Sequence, residues 1–279
     1  MTERIITEGL LKDYRQKLIL EEKSAATVEK YLRDVRALCA FLGGAAVTKE
    51  TVIAYKHSLV EGGYTVRSVN SMLSSINSLL NMLGWQDCRV RNLRTQRQTY
   101  CAEERELTRG EYLRLLEAAQ DQPQLRLVME AICSTGIRVS ELRYFTVEAV
   151  GRGEITVTCK SKIRTILIPS KLKKQLLAWA KQCGIRTGAI FITRTGRPLD
   201  RSGIWARMKK LCRRAGVAAG KVFPHNLRKL FARTFYRAEK DIAKLADILG
   251  HSSINTTRIY IMSTGSEHRR KIDRLGLVV

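Results

Sequence analysis

Residues 224 to 260 decide the reading of this chain: Pro224-His225-Asn226-Leu227-Arg228, then Leu249-Gly250-His251, then Tyr260. Pro224 suits a helix start, because its φ is fixed and its missing N–H is no loss there. His225 and Arg228 lie three apart and so share a helix face. Leu227, Leu230, Phe231, Thr234 and Phe235 follow at helical spacing and form the packing stripe. Asp241 is placed to cap a second helix, with Ile242, Leu245, Ala246 and Leu249 on its buried side. Gly250 ends that helix, which leaves His251 at a terminus where its ring can reach a cleft. Thr256 and Thr257 precede Tyr260 by about one turn, so a third short helix carries the tyrosine.

Two histidines, an arginine and a tyrosine in one such stretch suit a particular chemistry. A phenol is a poor nucleophile near pH 7 and needs a base or a strong field. Arginine presents a fixed fork of donors that matches phosphate oxygens, and histidine moves protons near neutrality. Together they suit attack of Tyr260 on a phosphodiester. Taken singly, each of these residues is more often a packing or surface residue; the weight lies in their joint arrangement. A matching element stands upstream. Thr135-Gly136-Ile137-Arg138-Val139-Ser140-Glu141-Leu142 follows an apolar helix bearing Leu125, Leu127, Val128 and Ile132. Arg138 beside a helix break and an acidic residue reads as a surface ion pair or, with Arg228, as a two-arginine phosphate clamp.

These four motifs, in this order and spacing, resemble the tyrosine recombinase (phage integrase) family, of the Xer-like or mobile-element integrase kind. The resemblance covers the whole C-terminal half. It implies a site-specific DNA recombinase for integration, excision or inversion, which cleaves and rejoins DNA through a 3′-phosphotyrosyl link and a Holliday junction. The implied catalytic residues are Arg138, Lys160, His225, Arg228, His251 and Tyr260, with Glu141 orienting them. The implied fold is mainly α with a small antiparallel sheet: an N-terminal four-helix SAM-like core-binding domain and a C-terminal tyrosine recombinase catalytic domain. The implied partners are double-stranded DNA with an inverted-repeat core site and a homo-tetramer on synapsed DNA, with the C-terminal tail exchanged between protomers. A type IB topoisomerase-like nicking-closing enzyme and a catalytically silent DNA-binding relative are the alternatives. Lys229 follows Arg228 where many relatives carry histidine; that position is not among the implied catalytic ones.

Composition agrees with a polyanionic partner. The 279 residues hold 50 Lys and Arg against 26 Asp and Glu, a formal charge of +24, far beyond what solubility requires. The excess is uneven: 15 basic against 10 acidic residues in the first hundred, and 35 against 16 in the rest. The seven cysteines, Cys39, Cys88, Cys101, Cys133, Cys159, Cys183 and Cys212, are widely spaced with no Cys-x-x-Cys, which reads as a reduced protein without a zinc site. No metal or cofactor is expected. Neither a signal peptide, a run of about 20 apolar residues, a Walker loop nor a dinucleotide fingerprint is present, so a cytoplasmic, nucleoid-associated protein without a membrane role is expected.

The chain is long enough for two domains. Four helices read from the first hundred residues: Leu10 to Leu18, then helices capped by Ser24, Thr48 and Thr65 and ended by Gly43-Gly44, Gly62-Gly63 and Gly84. The domains expected are 1–86, DNA-binding; 87–106, a basic interdomain linker; and 107–279, catalytic, with a tail. Arg33, Arg36, Lys56 and Arg67 lie off the apolar faces, and each reads either as a DNA contact or as a solvated charge; Arg94 and Arg97 stand in the linker, which lacks apolar periodicity, and read as contacts that follow the DNA backbone. Because the four-helix domain starts almost at Met1, no arm-binding domain is expected before it. Thr108-Arg109-Gly110-Glu111 is a capping-box pattern that opens the second domain.

After Leu142 the pattern changes. Glu154 to Thr158 and Thr165 to Ile168 read as strands around a basic tip, Cys159-Lys160-Ser161-Lys162-Ile163-Arg164, and Ala189 to Ile192 reads as a short third strand. A departing 5′-oxygen needs a proton, and a hairpin lysine beside other cations can supply one. The resemblance assigns this role to a hairpin lysine. Lys160 aligns best, but the usual flanking glycines are absent, and Lys162 remains the substitute. Arg207 and Lys210 stand on a basic helix over 201–215, as phosphate contacts or as a solvated face. The apolar tail, Leu275, Leu277, Val278 and Val279, docks on its own domain or on a neighbour.

Overall fold

The computed structural model describes residues 4–94, 100–159 and 162–277, with only the backbone described at 103, 159 and 162. Lys160 and Arg97 therefore lie outside the described residues, as do Val278, Val279 and the side chain of Lys162. Two compact units emerge, Met1–Arg97 and Gln98–Val279.

The first unit is four helices, α1 (Glu8–Leu20), α2 (Ala25–Leu42), α3 (Lys49–Glu61) and α4 (Val66–Met82). Thr7, Ser24, Thr48 and Thr65 each accept a first-turn N–H, which satisfies donors the helix cannot. Leu11, Tyr14 and Leu18 pack against Val28, Leu32, Val35 and Leu79; Val52, Tyr55 and Leu59 pack against Val69, Leu73 and Ile76. The segment after α4, read from the sequence as the start of the linker, packs on this unit instead. Cys88 and Val90 are buried. The Asn77 side chain bonds the carbonyl and N–H of Val90, and Asn70 does the same for Leu93. Side-chain amides replace a ladder there, so no apolar period marks the segment.

The second unit begins with α5 (Arg109–Ala118), whose capping box is formed by Thr108 and Glu111. Then come α6 (Pro123–Thr135), a tight turn at Val139–Tyr144, α7 (Val147–Arg152) and a hairpin of β1 (Glu154–Cys159) and β2 (Lys162–Leu167). The strands are antiparallel, from Glu154 opposite Leu167 to Cys159 opposite Lys162. Both therefore run further towards the tip than the sequence suggests. The third strand does not form among the described residues: Thr146–Ala189 and Ile192–Pro198 are single bridges. Ile190 and Phe191 are apolar because they are buried in the helical core, not because they are paired in a ladder. Helices α8 (Ser170–Gln182), α9 (Arg201–Ala215), α10 (Pro224–Glu239), α11 (Ile242–Leu249), α12 (Ile254–Ile261) and α13 (Gly265–Asp273) complete the unit.

Helix α6 is the central post. Leu125, Val128, Met129 and Ile132 have no exposed surface, and α10 packs along it. Gly136 ends α6 at φ +65°, and a Cβ there would lie 2.5 Å from the Phe231 ring of α10. That close approach brings the turn after α6 against the start of α10. Among the described residues no helix is long and apolar enough to cross a membrane.

Candidate active site

Among the described residues, Arg228 is the largest fully buried side chain. It sits one turn into α10, and its guanidinium is held from two sides. One terminal nitrogen donates to the Gly136 carbonyl, and the other donates to the Leu249 carbonyl at 2.6 Å and lies 3.1 Å from His251 Nε2. Both carbonyls belong to helix ends, where no intrahelical donor reaches them. Burial lowers the Arg228 pKa to about 10, with the charges of Arg138 and Arg164 adding to the effect. It stays cationic at neutral pH.

The contact to His251 fixes that ring. A guanidinium only donates, so Nε2 accepts, and a neutral ring then carries its hydrogen on Nδ1. Nδ1 lies 2.9 Å from Thr257 Oγ1, which accepts it. Burial and then the charges of Arg228, Arg138 and Arg164 push the His251 pKa down to about 4. His225 is also shifted down, by desolvation and by Lys229 and Arg228, although the residue keeps exposed surface. Both rings are neutral at pH 7.

Arg138 caps the turn after α6. Its backbone N–H and one arm of its fork bond the two oxygens of Glu141, at 2.8 and 2.9 Å, and the other arm donates to the Gly250 carbonyl at 3.3 Å. Glu141 is itself buried and also receives Arg164 of β2 at 2.7 Å. Tyr260 is 9% exposed and packs against Ala232, Leu245 and Leu249. Its ring centre lies 5.0 Å from that of His225 and 4.9 Å from that of His251, with the Arg228 guanidinium carbon 6.0 Å away.

Five of the six residues named from the sequence, Arg138, His225, Arg228, His251 and Tyr260, thus come together, with Glu141 beside them; the sixth, Lys160, lies outside the described residues. Two cavities meet at Arg138. One, of about 690 Å³, is lined by Arg138, His225, Arg228, Tyr260, Arg201 and Trp205. The other, of about 920 Å³, is lined by Arg138, His251, Gly250 and the β2 residues Ile163, Arg164 and Thr165. Another groove of the second unit, away from these side chains, holds Arg207, which is half-buried and bonded to Gln124 at 3.1 Å. Lys210, one turn on, is exposed, as are Arg33, Arg36, Arg67 and Arg94, while Lys56 bonds the Arg91 carbonyl at 2.9 Å.

Sequence reasoning missed three supports. Arg164 looked like one more charge in a basic hairpin tip. Thr257 is read from the sequence only as part of the helix under Tyr260, yet it has no exposed area and accepts from His251 Nδ1. Glu106 is buried against Lys229 at 2.8 Å and Arg233 at 3.4 Å, which ties the start of the second unit to α10. Arg233 also meets Glu267 of α13 at 3.3 Å, so that helix packs on its own catalytic unit.

Comparison with known proteins fits this site. The profile of the phage integrase family matches residues 105–267, and that of the phage integrase N-terminal SAM-like domain matches residues 11–87. The chain belongs to the phage integrase family and is a tyrosine recombinase, an enzyme that breaks and rejoins DNA in site-specific recombination. It is 27% identical to tyrosine recombinase XerA of Pyrococcus furiosus over 289 residues, covering 100% of this chain and 98% of that one. To tyrosine recombinase XerD of Xanthomonas axonopodis it is 28% identical, covering 88% of this chain and 89% of the relative. Its fold matches the crystal structure of a lambda integrase dimer bound to a COC′ core site with a TM-score of 0.75, at 20% identity, over 93% of this chain and 96% of that one.

Proposed function

We propose that Tyr260 attacks a DNA phosphate in line and is left joined to the 3′ side, with a free 5′-hydroxyl. The observation that carries this reading is the pair of cavities meeting at Arg138. In-line displacement needs the entering and leaving oxygens on opposite sides of phosphorus. The cavity with Tyr260 and His225 receives the nucleophile, and the one walled by β2 receives the departing 5′-oxygen. Arg138 and Arg228 bind the non-bridging oxygens between them and stabilise the charge that grows in the transition state. Neutral His225, ring to ring with Tyr260, takes the phenolic proton. His251 holds Arg228 in place through Nε2; to donate to a phosphate oxygen itself, it releases that contact and carries the hydrogen on Nε2. Lys160 protonates the leaving oxygen, with Lys162 as the alternative. Because the covalent link conserves the bond energy, no nucleotide cofactor enters.

The same reading extends to the assembly. The first unit and the basic stretch 87–106 grip the duplex around an inverted-repeat core site, through such residues as Arg33, Arg36, Lys56, Arg67, Arg94 and Arg97, while 107–279 reacts. On α9, Lys210 and Arg207 face the phosphates. Lambda integrase has been solved as a tetramer bound to a Holliday junction. A homo-tetramer on synapsed DNA, with the apolar end of the chain passed between protomers, follows for this chain by that likeness. The test is Tyr260→Phe on a nicked suicide duplex obtained by binding selection from a random pool. Wild-type protein forms a denaturant-stable adduct and the variant binds without forming one; an adduct from the variant removes Tyr260 from the role.

A further inference from the structure

Arg138 can serve a phosphate only if its fork is aimed into the cavities and not folded onto its own counterion. Two anchors hold the fork: Glu141 Oε1 on one arm and the Gly250 carbonyl on the other. Arg164 packs against both of these residues. Its Nη2 donates to Glu141 Oε2 at 2.7 Å, and its side chain lies so close over Gly250 that a Cβ there would stand 2.5 Å from Nη1 and 2.8 Å from Cδ. The side chain is 12% exposed, so solvent screens this arrangement little.

We propose that Arg164 is a positioning residue, which sets the aim of Arg138 by holding both of its anchors. Two consequences are physical. First, a carboxylate facing one arginine takes it bidentately, the strongest geometry open to the pair. With Oε2 occupied by Arg164 and by the Arg138 backbone N–H, the Arg138 side chain reaches only Oε1, and its remaining N–H donors stay free for phosphate. Second, a lone Arg138–Glu141 pair is neutral, and its field at the phosphate nearly cancels. A second guanidinium on the same carboxylate restores a net positive charge beside the cavity. Arg164 sits two residues beyond Lys162, the alternative acid, on β2, so that strand and the clamp that holds the phosphate are fastened at one point.

This inference rests on the reading of Arg138 as a phosphate ligand, and the experiment separates the two. Wild-type protein, Tyr260→Phe, Arg164→Gln, Arg138→Ala and the Arg138→Ala/Arg164→Gln double variant are assayed on the selected nicked duplex. Single-turnover cleavage is measured with an ordinary and with a 5′-bridging sulfur leaving group. Arg164→Gln is expected to bind DNA within about twofold of wild type and to cleave about 10- to 100-fold more slowly, the loss that a 1 Å misplacement brings. Sulfur, which needs no acid, does not restore the rate. The double variant is no slower than Arg138→Ala alone, since the two act as a unit. Wild-type cleavage by Arg164→Gln, full recovery with sulfur, or additive losses in the double variant each overturn the proposal. If Arg164→Gln does not fold, Arg164→Lys, which keeps the charge but not the fork, is measured instead against the same outcomes. Failure of the underlying reading shows elsewhere, as cleavage by Tyr260→Phe or undiminished cleavage by Arg138→Ala.

Discussion

The downward shift of His251 makes the catalytic unit acid-sensitive in a defined window. Unfolded, the imidazole titrates near 6.5; folded, it is held near 4 by burial and three arginines. The folded pKa is depressed, so the unfolded chain takes up the proton first, and stability falls as pH drops below 6.5 and goes on falling until 4. Between pH 8 and pH 5 the two pKa values give a loss of about 2 kcal/mol from this one group, and His225 adds to it with the same sign. The assay is urea unfolding followed by tryptophan fluorescence. In a Trp85→Phe background the remaining tryptophans, Trp179 and Trp205, both report the second unit. His251→Asn removes the titrating group and should flatten the pH slope by about 2 kcal/mol over that range. Should the variant keep the wild-type slope, or NMR place the His251 midpoint near 6.5, the packing of that ring against Arg228 is not what governs its proton.

Three further outcomes are expected. Lys160→Ala slows cleavage by about 10² to 10⁴ and recovers on a 5′-bridging sulfur substrate, whereas Lys162→Ala does neither; the reverse pattern moves the acid to Lys162. Gly136→Ala combines a left-handed backbone, costing about 1–2 kcal/mol, with overpacking against Phe231, costing about 1–3 kcal/mol more, and lowers the urea midpoint of the second unit accordingly. An unchanged midpoint would mean that α6 and α10 separate easily at that point. Glu106→Gln leaves Lys229 and Arg233 without their buried counterion and destabilises the unit by about 3 kcal/mol, measured in the same titration; a loss under about 0.5 kcal/mol would show that water replaces the carboxylate.

What the sequence disclosed was local. Caps at Ser24, Thr48, Thr65, Thr108 and Asp241 are read from neighbours three residues away, and each forms. The His225–Arg228 face and the short helix under Tyr260 follow from helical period, and the stop at Gly250 from the glycine itself. What stayed hidden depends on partners far along the chain. Arg164 meets Glu141 across 23 residues and Glu106 meets Lys229 across 123, and no local pattern separates such charges from solvated ones. The stretch after Trp85 looked like a linker because Asn70 and Asn77, not an apolar stripe, hold it. Ile190 and Phe191 looked like a strand because burial on all sides gives the same composition as a ladder.

The two chambers that share Arg138 carry a consequence for the return journey. If the phenol arrives from one and the 5′-hydroxyl departs into the other, resealing is the forward path run backwards, with the same arginines and no rearrangement of the protein. Any 5′-hydroxyl delivered through the β2 side is then joined with equal facility, whether it is the original end or one from a second duplex. The choice between restoring a strand and exchanging it passes to whatever bends and presents the DNA.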